Sequence, residues 1–174
     1  TLRLSALATE RRDGPDSSGQ IVHRYYFVHR LSARVSNRVQ LGLWETNVIA
    51  GAGRNFEARY RNPLALGYIT NTIGLGDDRG NDMLGLDVHW RAFGRTSVEA
   101  QLALDDFYYQ RRYENRDRYA FTLAAFGPFG RTASWRAFYT QVSSLALRTF
   151  NNAENFTDAG VGLARRHGSE VRRR

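Results

Sequence analysis

Hydrophobic and polar residues alternate along most of the chain with a period of two, the spacing that sends successive side chains to opposite faces of a β-strand. From Tyr25 the odd positions read Tyr25, Phe27, His29, Leu31, Ala33 and Val35, and the even ones Arg24, Tyr26, Val28, Arg30, Ser32 and Arg34. The stretch from Met83 to Phe93 repeats the arrangement, setting Leu84, Leu86, Val88, Trp90 and Ala92 against Gly85, Asp87, His89 and Arg91. Val98, Ala100, Leu102 and Leu104 oppose Glu99, Gln101, Ala103 and Asp105. Tyr119, Phe121, Leu123 and Ala125 make another apolar set, and Trp135, Ala137 and Tyr139 open a further one. Eight strands are predicted, at about 2–10, 21–35, 38–49, 83–93, 97–109, 118–127, 133–148 and 158–166.

A soluble sandwich also alternates, but its wet face normally carries Lys, Glu, Thr and Ser. Here the polar sets hold Arg, Asp, His, Gln and Gly, and the strands run for about 10 to 15 residues, as tilted membrane strands do. The links have a rhythm of their own: Arg11–Gly19 long, Ser36–Arg38 short, Ala50–Asp82 long, Gly94–Thr96 short, Gln110–Asp117 long, Gly127–Thr132 short, Phe150–Thr157 long. Outer-membrane barrels join strands by short periplasmic turns and longer external loops. The expected fold class is therefore all-β, an antiparallel transmembrane β-barrel. Residues 1–174 form one partial barrel domain, with no separate second domain.

Composition narrows the choice further. Hydrophobic residues make up 42% of the chain, yet the mean hydropathy is −0.52, and no stretch nears the roughly 18 apolar residues that a membrane-spanning helix needs. A helical membrane protein is excluded. Nine Tyr and ten Phe beside three Pro favour strands, and the absence of Cys removes disulfides and thiolate metal sites. The net charge of +8 suits an anionic partner. Most Arg residues are spread singly along strands, though, and only Arg172–Arg174 form a run, so nucleic acid is not an expected partner. Thr1 falls inside an extended segment with no signal peptide before it. The chain finishes on Val171-Arg172-Arg173-Arg174, where bacterial barrels usually end in an aromatic residue. A fragment truncated at both ends is expected.

Several stretches between about Tyr25 and Arg148 carry a resemblance to a known family. His29-Arg30-Leu31 with Leu41-Gly42-Leu43-Trp44-Glu45-Thr46 resembles an "HRL…LGxxET" hairpin, and Arg61-Asn62-Pro63-Leu64 resembles an "xNPL" loop. Asn81-Asp82-Met83-Leu84-Gly85-Leu86-Asp87 with Leu104-Asp105-Asp106-Phe107 resembles a "DNxLLGxD…LDDF" strand pair, and Trp135 to Val142 resembles an "EYTxV" strand. In this order and spacing they are similar to the capsule assembly (Wzi) family of outer-membrane β-barrels. Phe138 stands where the family commonly has Glu, and Asn81-Asp82 reverses the usual order. The resemblance implies a barrel of about 18 strands, larger than this chain can supply, preceded by a small helical plug. It also implies a non-enzymatic, carbohydrate-binding protein of the bacterial cell surface. Its work would be the assembly or attachment of capsular or extracellular polysaccharide.

An acidic glycan is best held by Arg, whose planar fork matches carboxylates, and by aromatic faces that stack on sugar rings. The candidate glycan contacts are Arg54, Arg59, Tyr60, Arg61 and Tyr68 in the long segment 50–82, and Arg111, Arg112, Tyr113 and Arg116 in the loop 110–117. Alternatively these loops are merely solvated or meet lipopolysaccharide phosphates. Arg24, Arg30, Arg34, Asp87, His89, Arg91, Glu99, Asp105 and Arg136 share the polar parity and are expected to line the lumen as a salt-bridged interior.

Glu45 and Asp106 fall on the apolar parity, where a charge is costly in lipid, and a bulge near each strand end is expected to turn them inward. Asp105 and Asp106, as neighbours on a strand, point apart and cannot readily share one substrate for acid and base work. The four His lack metal-ligand spacing, no Ser, His and Asp set for a lipase stands out, and the glycines of 51–80 lack the strand–turn–helix context of a phosphate loop. No enzyme activity, cofactor or metal is expected. The partners expected of a monomer in the outer membrane are polysaccharide, lipid and lipopolysaccharide. Two other readings are an anion-favouring porin, which requires an open bore, and a soluble sugar-binding sandwich.

Overall fold

The computed structural model describes residues 1–15, 18–57, 60, 62, 80–106, 118–143, 146, 154, 157–158 and 161–162. These form an all-β structure with no helix of a length and apolarity that could cross a membrane. Seven strands pair in chain order into one antiparallel sheet: β1 (Leu2–Pro15), β2 (Ile21–Arg34), β3 (Val39–Gly51), β4 (Asn81–Arg91), β5 (Ser97–Asp106), β6 (Arg118–Phe129) and β7 (Ala133–Val142). Every connection joins neighbours, so the sheet is a meander with no crossover.

Three tight turns close one end. Ser36 organises the first: its N–H, like that of Val35, donates to the Val39 carbonyl, and its Oγ accepts from the N–H groups of Arg38 and Val39 at 3.1 Å each. In the second, the Ala92 N–H donates to Thr96 and the Thr96 N–H to Phe93. There Gly94 adopts a φ of 57°, a left-handed conformation that costs glycine little. Gly130 plays the same part after β6, with a φ of 66°.

Differences from the sequence reading fall at strand ends. β1 continues to Pro15 because Arg11 and Arg12 pair with Arg24 and His23 across the ladder. An edge strand needs no burial to keep its backbone bonded, so polar side chains do not stop it. The first link shrinks to 16–20, close in size to the turn at 35–38, and the strict alternation of long and short begins only after β3. β7 stops at Val142, and Ala146 lies in a turn whose N–H donates to Ser143. The expected eighth strand does not join the sheet: Thr157–Asp158 pairs with Val161–Gly162 as a separate two-stranded ladder. Gly160 and Gly162 weaken strand preference in that stretch. The remainder of the predicted strand lies outside the described residues.

The register assigns each side chain to a face. One face carries Leu4, Leu31, Leu41, Leu43, Leu86, Val88, Trp90, Leu102, Leu123 and Tyr139 across the sheet, toward the tight-turn end. Most of these are exposed, Leu86 to 52%. Farther from the tight turns the same face is buried: Tyr25, Phe27, Ile49 and Tyr60 form a cluster. The chain after β3 comes back onto the sheet here, with Phe56 against the rings of Tyr25 and Phe27 and Tyr60 stacked on Phe27 at 5.2 Å. On the opposite face a second cluster of Tyr26, Val48, Met83 and Ala103, joined by Trp44 and Ala120, occupies the corresponding half.

Candidate functional site

Eight of the nine residues expected on the polar parity share that opposite face in the register, Arg24, Arg30, Arg34, Asp87, His89, Arg91, Glu99 and Arg136, while Asp105 falls at an irregularity of the β5–β6 ladder and has no register partner. Toward the tight turns they meet in a polar surface built on two glycines. Gly42 sits between Ser32 and Asp87 in the ladder, and a Cβ there would run into both the Asp87 carboxylate and the Arg30 guanidinium. Its missing side chain lets Arg30 reach across β3 from β2 to β4. Arg30 Nη2 donates to Asp87 Oδ1 at 2.7 Å, and Nη1 lies 2.7 Å from Oδ2 as a charge contact without hydrogen-bond alignment; a hydrogen bond between ionised groups is stronger than one between neutral ones. Gly85 does the same for Trp44, its ladder partner, whose indole lies where a Cβ would project.

Beside this bridge His89 and Glu99, paired across β4 and β5, approach to 3.1 Å. Arg30, Asp87, His89, Glu99, Gln101 and Arg136 line a shallow cavity of about 310 Å³ there. Among the described residues this face carries few Arg–carboxylate pairs. Arg30 has Asp87, but Glu99 turns to His89. Among the described residues no carboxylate pairs with Arg3, Arg34, Arg91 or Arg136. Arg24 is buried toward the other end, where its Nη1 donates to the Tyr26 hydroxyl at 3.5 Å, and Asp105 is buried near the end of β5. This polar surface can hold anionic and hydroxyl groups.

Of the two expected bulges, one forms. The β5–β6 register shifts between Leu104 and Asp106. β3, in contrast, keeps one continuous register with both neighbours, and Glu45 stays on the apolar parity. It is not turned inward. It is buried opposite His29, with Nδ1 and Oε1 2.7 Å apart and side-chain exposures of 5% for His29 and 0% for Glu45. One step farther along the face, the Asn47 amide donates to Asp82. A charge on the apolar parity is thus met by a cross-strand partner where the alternation alone called for a kink.

Among the candidate glycan contacts, Arg54 and Tyr60 lie within the described residues. Arg54 reaches Glu57 and, at 3.3 Å, Glu154, and its carbonyl accepts from the Tyr25 hydroxyl. Tyr60 is 2% exposed, with its ring committed to Phe27. Arg54 is thus held by carboxylates and Tyr60 by ring packing, arrangements that depend on where the link after β3 returns. Arg59, Arg61, Tyr68, Arg111, Arg112, Tyr113 and Arg116 lie outside the described residues. The sequence reading set Ser32 on the polar parity without naming it as a site residue, and it missed Arg3 and Gln40 as members of the polar surface. Their parity is visible, but only the β1–β2–β3 register joins them. No protein-family model matches the chain, and no curated protein or solved structure matches it either.

Proposed function

We propose that this chain is part of a bacterial outer-membrane β-barrel of the capsule assembly type, a non-enzymatic protein that holds an acidic extracellular polysaccharide through its long external links. The observation that carries the reading is the distribution of the two faces. In water, the exposed face of a half-covered sheet is the polar one. Here a band of Leu, Val and Trp is exposed while Arg, Asp, His, Glu and Gln gather opposite, the arrangement suited to lipid outside and water inside. The motif stretches that carry the family resemblance supply that surface: Arg30 from the first, Gly42 and Trp44 from its hairpin partner, Gly85 and Asp87 from the third. Arg59, Arg61, Arg111 and Arg112 are the proposed polymer contacts.

The unpaired Arg residues on the polar face favour one competing reading, an anion-selective channel. A single experiment separates the two. The full-length protein, purified in detergent, is tested for binding to the producing organism's own surface polysaccharide beside a variant with Arg59, Arg61, Arg111 and Arg112 replaced. Binding that the variant loses supports attachment through the links. Absence of binding in both, with anion conductance in a planar bilayer, favours the channel.

A further inference from the structure

Near the tight-turn end of the polar face, a second concavity of about 510 Å³ opens over β1, β2 and β3. Arg3, Ser5, Arg30, Ser32, Arg34 and Gln40 line it together with Thr1, and among the described residues no acidic side chain does. It differs from the neighbouring cavity, whose lining includes both Asp87 and Glu99. Arg30 is neutralised by Asp87, whereas Arg3 and Arg34 have no carboxylate among the described residues. Arg3 is registered opposite Ser32, and Arg34 stands two residues beyond Ser32 on the same face. Such diagonal neighbours lie about 7–8 Å apart, their Cβ atoms somewhat closer, a gap that two long guanidinium side chains can close on one bound group. Ser32 Oγ donates to the Arg3 carbonyl at 3.5 Å, which ties the two strands together at that point.

We infer that this concavity is a binding site for a hydroxylated carboxylate of monosaccharide size, such as a glycuronate unit. Arg3 and Arg34 grip the carboxylate, and Ser5, Ser32 and Gln40 meet ring hydroxyls. Every one of the chain's 25 basic residues is Arg, and the fork of Arg matches a planar carboxylate in a way that an ammonium does not. The volume falls in the range of small-molecule sites. The site lies at the opposite strand ends from the long links, so it is separate from the proposed polymer contacts and does not depend on them.

The test is calorimetric titration of the full-length protein in detergent with glucuronate, glucose and inorganic phosphate. Glucuronate is expected to bind in preference to glucose, and the Arg3→Gln/Arg34→Gln double variant to bind it at least tenfold more weakly. Arg131→Gln, in the turn before β7, should leave the affinity unchanged. If the double variant loses its strand spectrum, Arg3→Gln and Arg34→Gln are read singly, each expected to weaken binding severalfold. Equal affinity for glucose, binding of phosphate without glucuronate, or wild-type affinity in the Arg variants would overturn the proposal. Binding of the surface polysaccharide is measured on the Arg3→Gln/Arg34→Gln variant as well and is expected to persist there, so this site and polymer attachment through the links fail separately.

Discussion

The face that begins with Leu and Val at the tight-turn end changes character half-way along its strands. Leu31, Leu41, Leu86 and Val88 stand exposed in the first half. In the second half, on the same parity and in the same unbroken register, His29 and Glu45 are buried against each other, and Phe27 and Ile49 are sealed beneath Tyr60 and Phe56. Apolar side chains are thus open to the surroundings while an ionisable pair is enclosed, the reverse of what a soluble sheet would do. A period of two reports only which face a residue occupies. What that face meets is set by long-range return of the chain, and the two halves should respond to substitution in opposite ways.

The largest effect is expected in the enclosed half. His29→Ala leaves Glu45 buried without its imidazole partner and should cost about 3–5 kcal/mol of stability, whereas His29→Leu with Glu45→Leu removes both polar groups and should recover most of that loss. Denaturant titration of the single and double variants checks this. Equal destabilisation by both would mean that the pair is not coupled. In the open half, Leu86→Arg should cost about 2–4 kcal/mol when the protein folds into lipid vesicles if that half faces the bilayer interior. A loss within a few tenths of a kcal/mol would place Leu86 in water and break the comparison. The smallest effect should come from His89→Gln on the polar face. That pair is well exposed, at 39% for His89 and 46% for Glu99, and pairs of that kind contribute about 0–1 kcal/mol. A salt titration of unfolding should show whatever contribution exists fading as ionic strength rises.

Much of the sheet is legible in the sequence. The starts of β5, β6 and β7 fall at or next to the predicted positions, because each follows a Gly-containing turn or a polar run and begins a clear alternation. The shared face of Arg24, Arg30, Arg34, Asp87, His89, Arg91, Glu99 and Arg136 is legible too, since parity alone groups them, whereas Asp105 falls at the ladder irregularity. Ends are harder to read: Arg11 to Pro15 look like a loop by composition, yet they pair as an edge strand. The bulge question shows where alternation stops helping. Asp106 and Glu45 present the same pattern of a carboxylate after an apolar run. The register breaks at the first and holds at the second, because Glu45 lies opposite His29, a residue 16 positions away. Likewise Tyr60 reads as an exposed loop aromatic until the chain is seen to bring it back onto Phe27.

Gly42 has a consequence for how the sequence can change over time. Arg30, Gly42 and Asp87 sit on three adjacent strands, and the bridge between the outer two passes through the space that a side chain on the middle one would fill. A variant that gains even a methyl group at position 42 must displace the carboxylate, and one that loses Asp87 removes the reason for the glycine. The three positions are therefore expected to drift as a unit, so that relatives keep Arg, Gly and Asp together or exchange all three. Gly85 and Trp44 form a second such unit, one in which a small residue is free to enlarge only after the indole opposite has been cut down.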